Sequence, residues 1–594
     1  MHTGIAKGWV ATSGGAIRIG GLVIALLAST GCRNGSHEAA PDLVLVNGIV
    51  LTLDAHDGVA EAIAVAGDAI AAVGTTAAID ALAGPTTQRI DLQGRAVTPG
   101  LLDAHAHFSP GTFNRLDVLD LSYPQIKSIE EVKTAIVQRA NETSADGWVQ
   151  GRGWDEGKLV EQRLISARDL DAVVSDRPVW LSHTMGHYGV ANGAALRLAK
   201  IGRDTPDPPG GTIDRDADGN PTGVLKETAQ ELVAGLIPPP TRVEIERGVR
   251  EMASRFNAEC MTGVKDPGIT DEAWEAYGRV LAAGDLTVRV FALWEGGRSI
   301  DEAQQVIDER AAMTRPYERR GDDRLIAGGV KLYADGSGGA RTAWMYDDWN
   351  VGVTGTDVGN RGYPNADPDV LRGMIRMLHD AGLHVSSHAI GDRTIDLVVD
   401  SYVDAMRENP KPGLRHGIIH ANVPTDHALN AMAALQRDYD AGYPEPSATF
   451  MWWIGDTYAG NFGSRARRLN PFSTFQKRGI RWANGSDYSV TPFAARYGIW
   501  ASVARKPALG IHGGDPFGRD EAVDVRTALR AATLWAAHQM FLETKIGSIE
   551  VGKYADLAVW DRNPFQVATA DLEHMQCRLT LFNGSVVFRA EDTQ

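Results

Sequence analysis

The chain is poor in cysteine: three in 594 residues, Cys32, Cys260 and Cys577. That scarcity excludes a disulfide-built scaffold, and no Cys-x-x-Cys pair exists to hold a structural zinc on thiolates. Positive charge is short as well. Lys and Arg number 59 against 75 Asp and Glu, a formal net charge of −16. That balance argues against nucleic acid as a partner and against a polybasic membrane contact. No Gly-x-Ser-x-Gly elbow is present, so a serine hydrolase has little support. No Walker loop occurs, which leaves nucleotide-driven chemistry unsupported. The pairs His183/His187 and His416/His420 have i, i+4 spacing, but Thr184 and Gly417 stand where a helical metalloprotease motif needs Glu. After residue 30 no apolar run approaches the roughly 18 residues of a membrane helix.

What is present begins with an address. Residues 20–30 (GGLVIALLAST) form a short apolar run preceded by Lys7 and Arg18. They fit the apolar region of an export signal. Small residues before Cys32 resemble a lipoprotein box over residues 1–32, with the lipid on Cys32. Ser29 stands where that box usually has Leu, and an ordinary secretory signal cut nearby is the competing reading. The expectation is an exported cell-envelope protein, a soluble body touching membrane only through a lipid on Cys32. Whether Cys260 and Cys577 pair is open from sequence. A homodimer is only the base-rate expectation.

Residues 42–98 read as short strands, with turns expected at Asn47-Gly48 and Gly67-Asp68. Residues 541–594 read alike, with Asn583-Gly584 at a turn. One small β-domain built from both ends is expected; two separate β-extensions are the alternative. Between them, 99–540 alternates apolar runs with helical stretches, which argues for βα units and a parallel sheet. The stretch VDVRTALRAATLWAAHQM reads as one amphipathic helix. About 146–240 breaks the rhythm with Gly and Pro and reads as an insertion that builds specificity.

Several strand ends carry metal-binding chemistry. His105 and His107 in LLDAHAH follow an apolar strand, and i, i+2 spacing puts two imidazoles on one face. With 16 histidines in the chain, such a pair arises by chance about 0.4 times, so the pair alone is weak. His388, His420 and Asp487 end three further strand-like runs. Three such ends plus the pair suit a site of imidazoles and one carboxylate better than packing alone. Lys331 lies among apolar neighbours in GGVKLYADGSGG. It either pairs, with Asp335 a candidate, or sheds its charge and becomes able to take up carbon dioxide as a bridging carbamate.

These motifs resemble the amidohydrolase superfamily, within it the amidohydrolase family 3 group that includes N-substituted formamide deformylase. The resemblance covers about residues 42–590. It is carried by VTPGLLDAHAH, QGRGWDEG, GHYGVANGAAL, VKLYADGSGGARTA, SSHAIGDRT, LRHGIIHAN, NGSDYSV and IGSIEVGKYADLAVWD, in that order. It implies an α/β fold: a (β/α)8 TIM barrel with a small β-sandwich formed by the two ends. It implies His105 and His107 on a first metal with Asp487 beside it, and His388 and His420 on a second. Lys331 matches the lysine that can be carboxylated, ahead of its rival Lys265. The group commonly has Glu before the His matching His420; this chain has Ile419. Asp335, Arg341 and Asp392 match recurring motif positions.

The function so implied is hydrolysis of a small molecule's C–N bond, amide or formamide, by a metal-activated water. The cofactor is a divalent metal, zinc foremost, one or two per chain. Asp487 would act as proton acceptor and donor, and His183, His187, Tyr188 or Arg341 would hold substrate. Ester, lactone or cyclic-amide hydrolysis would use the same ligands. A non-catalytic ligand-binding lipoprotein is the reading from another class.

Overall fold

The structure is a computed structural model, and it describes residues 40–109, 118–144, 147–314, 323–350 and 359–591. The leader and Cys32 lie outside them. Among the described residues no helix is long and apolar enough to cross a membrane.

Short apolar runs separated by helices give a seven-stranded parallel sheet. From edge to edge its strands are Tyr443–Glu445, Gly417–His420, Val385–Ala389, Leu325–Tyr333, Arg289–Glu295, Met261–Ile269 and Leu101–Asp103. Helices Asp271–Ala282, Ile300–Arg310, Pro368–Asp380, Asp392–Glu408 and Asp426–Tyr439 make the crossovers that parallel strands require. Thr270, Ser299 and Thr425 cap three of these helices by accepting backbone N–H groups one turn in. Pro368–Asp380 buries Leu371, Met374, Ile375 and Leu378, a single stripe at helical spacing.

The sheet curls. Lys265, one strand from one edge, reaches Glu445 on the opposite edge strand at 2.7 Å. The segment 483–487 forms no regular strand, yet it bonds to both edges. Ala483 and Gly485 donate to the carbonyls of Pro444 and Pro446, Ala104 donates to Asn484, and Asp487 donates to His105.

The chain's two ends meet in one sheet: Ala96–Pro99 pairs antiparallel with Leu557–Trp560. That sheet has six strands, from Val59–Ala60 to Ser585–Arg589. A four-stranded sheet, Leu43–Val46 with Ala62–Ala66, Ala69–Gly74 and Gln88–Asp91, shares an apolar cluster with it that includes Leu45, Val65, Val97, Leu557 and Leu581. Cys260 and Cys577 form a disulfide that ties the approach to Met261–Ile269 to strand Cys577–Phe582.

Three expectations change. Gly67-Asp68 and Asn583-Gly584 do turn hairpins, but Asn47-Gly48 does not. It passes the chain from Leu43–Val46 in one sheet to Ile49–Leu51 in the other. Gly48 suits that crossing because a Cβ there would meet Leu92 Cδ1 at 2.3 Å. The sheet of the insertion begins before 146. It is a six-stranded mixed sheet that already includes Leu119–Asp120 and ends at Pro221–Glu227, with an apolar cluster around Trp180, Ile213 and Leu225. A two-residue strand has no periodicity to reveal it. The helix expected over 523–540 is two helices, Val525–Ala531 and Leu534–Gln539. At the break the carbonyls of Ala531 and Ala532 accept from Asn484 and Leu102, so the break supplies acceptors to segment 483–487 and to the edge strand Leu101–Asp103.

Candidate active site

Strand ends deliver the histidines to one place. His388 lies in strand Val385–Ala389, His420 ends Gly417–His420, and His105 and His107 follow Leu101–Asp103. Asp487 comes from the irregular segment. His420 and Asp487 hold left-handed backbone, φ 69° and 53°, which non-glycine residues adopt at a cost and which clusters at functional sites. Asp103 ties the two sides together. It accepts the N–H of His105 at 3.1 Å and the N–H and Oγ of Ser486 at 2.9 and 2.6 Å.

Asp487 is the hub. Its Oδ1 lies 3.3 Å from His105 Nε2 and 3.5 Å from His107 Nε2, and its Oδ2 lies 3.8 Å from His420 Nε2. His388 stands beside His420, ring centroids 4.8 Å apart. The Gly336 carbonyl at 2.9 Å can only accept, so His388 Nε2 carries its proton and Nδ1 keeps the lone pair. Burial holds the rings of His105, His388 and His420 well below the ordinary histidine range and His107 at about 3, with the charge of Lys331 adding to the effect. All four are neutral donors. Burial lowers Lys331 to about 8 and raises Asp487 to about 7.

The donor set fits a divalent cation. Ligand atoms of His105, His107 and Asp487 all lie within 4.8 Å of one another. His105 is fully buried, yet among the described residues neither of its ring nitrogens finds a hydrogen-bond partner. A buried polar atom left so costs about 1–3 kcal/mol, and an ion would offset that cost.

The centre lies in a cavity of about 1080 Å³, lined by the four histidines, Lys331 and Asp487, with Trp180, Pro239 and other residues of the inserted region in the wall. His187 lines it too. Its Nδ1 donates to Glu227 at 2.9 Å; burial opposes the charged ring, but Glu227 outweighs it and raises the ring above the usual value. His183 reaches the wall with both nitrogens committed: Nδ1 accepts from Met185, and Nε2 lies 3.0 Å from Glu156. Tyr188 is buried, its hydroxyl shared between Glu156 and His183, and neither it nor Arg341 lines the cavity. Asp155, Glu156 and His183 form a second close donor group. Its atoms are already spoken for by Tyr188, Gly157 and Thr457.

Lys265 is an ion-pair lysine, bonded to Glu445 at 2.7 Å and Ser386 at 2.8 Å. Asp335 is fully buried and accepts N–H groups from Trp344, Ile390 and Gly391. It thereby anchors the start of helix Asp392–Glu408, which lacks a side-chain cap of its own. Asp392 holds the Tyr346 N–H. Glu227, Glu295 and Tyr333 also line the cavity and were not singled out from sequence. Tyr333 was findable, two residues from Lys331 on one strand face; Glu227 is paired only through the fold.

The family model for the amidohydrolase family matches residues 88–588. N-substituted formamide deformylase of Arthrobacter pascens is 30% identical over 571 residues, covering 93% of this chain and 99% of that protein. Two solved structures share the fold, both of uncharacterized metal-dependent hydrolases. That from Pyrococcus horikoshii OT3 has TM-score 0.67 at 23% identity, covering 89% of this chain and 99% of its own. That from Pyrococcus furiosus has TM-score 0.65 at 22% identity, covering 88% and 100%. The chain belongs to the amidohydrolase family and is an enzyme of its kind, a hydrolase of carbon–nitrogen bonds.

Proposed function

We propose that the chain hydrolyses an amide or formamide bond of a small molecule at the centre formed by His105, His107, Lys331, His388, His420 and Asp487. The observation that carries this reading is the convergence of three neutral imidazoles on one buried carboxylate, with a fourth, His388, beside them and His105 without a hydrogen bond among the described residues. His105, His107 and Asp487 would hold one divalent ion, with zinc the best match to nitrogen and oxygen donors. His388 and His420 would hold a second, and Lys331, as a carbamate, would add an anionic oxygen ligand. A bound ion supplies Lewis acidity, drawing the pKa of a water toward neutrality and polarising a carbonyl.

The chain's own residues do the rest. Asp487 takes a proton from the attacking water and returns it to the leaving nitrogen. The raised pKa of His187, whose Nδ1 is held by Glu227, favours a proton on Nε2, which donates to the carbonyl oxygen as charge builds there. Formamides come first because the Arthrobacter relative is named for them. The test is a panel of N-formyl amines, N-acyl amines, esters and lactones. Turnover of the amides above the oxygen esters supports the reading; turnover of esters or lactones alone overturns it.

Three further proposals follow. Segment 483–487, bonded to both sheet edges, serves as the eighth strand of a closed (β/α)8 barrel over 99–540. The two sheets around the shared cluster form a β-sandwich from 42–98 and 541–594. The protein is exported, with Cys32 lipidated. A disulfide between Cys260 and Cys577 supports an oxidising compartment.

A further inference from the structure

The wall beside Lys331 holds a carboxylate, Glu295, that takes the N–H of Gly297 and feels the charges of Lys331 and Arg298 only from a distance. Glu295 ends strand Arg289–Glu295, in register with Lys331 on the next strand, and lines the cavity. Among the described residues no cation lies within 4.0 Å of its carboxylate. Lys331 Nζ lies instead over the Tyr333 ring, 4.4 Å from its centroid, and Arg298 turns to Glu231 at 3.1 Å. Other wall carboxylates are engaged: Glu227 by His187, Glu259 by Arg496, and Glu302 by the N–H of Arg298.

The Tyr333 hydroxyl is close by. A Cβ added at Gly268 would stand 3.0 Å from Glu295 Oε2 and 3.1 Å from the Tyr333 hydroxyl. Gly268 has φ 70°, a backbone conformation that favours glycine, and all three residues line the cavity. The missing side chain therefore leaves a recess facing a carboxylate and a phenol. A recess so lined attracts cations, and the chain's net charge of −16 adds to the field.

We propose that Glu295 and Tyr333, around Gly268, form a subsite for a substrate's ammonium group, so that the preferred substrates are amides carrying a second, basic nitrogen. For the reaction this rests on the amide-hydrolase reading; for binding it does not. An ammonium group in the recess donates to the Glu295 carboxylate and the Tyr333 oxygen. A neutral chain of the same length would make neither contact.

The test compares N-(5-aminopentyl)formamide with N-hexylformamide, which replaces the ammonium by a methyl group. The wild-type enzyme should prefer the cationic compound by about tenfold in kcat/KM or more. Glu295→Gln should bring that ratio near one, and Tyr333→Phe should lower it, reporting on the subsite even where Glu295→Gln does not fold. Hydrolysis of both compounds at equal kcat/KM by the wild type overturns the subsite and leaves the amide reading standing. Hydrolysis of neither counts against the amide reading, and calorimetry then decides the subsite. Binding of 1,5-diaminopentane but not 1-pentanol, lost in Glu295→Gln, supports it; no binding, or binding unchanged in the variant, overturns it.

Discussion

At the scale of residues, the site works through which nitrogen of each histidine is free. His187 offers Nε2 because Glu227 holds Nδ1, whereas His183 has no nitrogen to offer. His187→Asn should therefore lower kcat roughly 10- to 100-fold, with metal content unchanged by elemental analysis. An equal loss of metal would make it a ligand instead. A second residue-scale outcome concerns space. A Cβ on Gly417 would stand 2.0 Å from Glu445 Oε1 and 2.3 Å from Ser386 Oγ. Gly417→Ala should cost about 1–3 kcal/mol in urea unfolding by overpacking the buried layer that holds Lys265. The metal-type histidines were legible in the sequence because they lie at or just after apolar strand runs, and Asp487 because an apolar run precedes it, although that run forms no regular strand. Glu227, Glu295 and Gly268 were not, because each acquires its role from a neighbour on another strand.

At the scale of elements, the parallel strands were legible as apolar runs divided by helical stretches. The errors came where one local pattern serves two folds. Asn47-Gly48 has the composition of a hairpin turn, but it joins strands of different sheets. The 525–539 pattern is amphipathic throughout, yet it breaks where backbone carbonyls are claimed from outside. One cross-element cluster predicts pH dependence. Arg415 makes a two-pronged pair with Glu543 at 2.9 and 3.0 Å and also holds Asp440, the residue after helix Asp426–Tyr439. Burial works to raise Glu543, but His538 and Arg415 outweigh it and hold the carboxyl at about 2. A depressed carboxyl stabilises the fold above its unfolded pKa of about 4.3, and that contribution is lost as pH falls toward 2. Glu543 should contribute about 1–2 kcal/mol after solvent screening. Urea midpoints should fall less between pH 6 and pH 3 in Glu543→Gln than in the wild type. An identical fall in both would remove this pair from the account.

At the scale of the whole molecule, strands from both chain ends share a sheet, and a disulfide ties that sheet to the chain entering the parallel sheet. The sequence left the pairing of Cys260 and Cys577 open because 317 residues separate them, and only the meeting of the ends brings them together. Removing both sulfurs, by Cys260→Ser with Cys577→Ser, should cost about 2–4 kcal/mol. Reductant should lower the melting temperature of the wild type and leave the double variant unmoved. The same arrangement sets the strand ends so that His105, His107, His388, His420 and Asp487 meet in one cavity. The central claim is that this meeting place binds metal. Elemental analysis of the protein purified without chelator, beside His105→Ala, tests it most directly. The account predicts about one or two zinc-like ions per chain in the wild type and a clear loss in the variant. A wild type that holds no metal, even after incubation with zinc, manganese or iron, would contradict it.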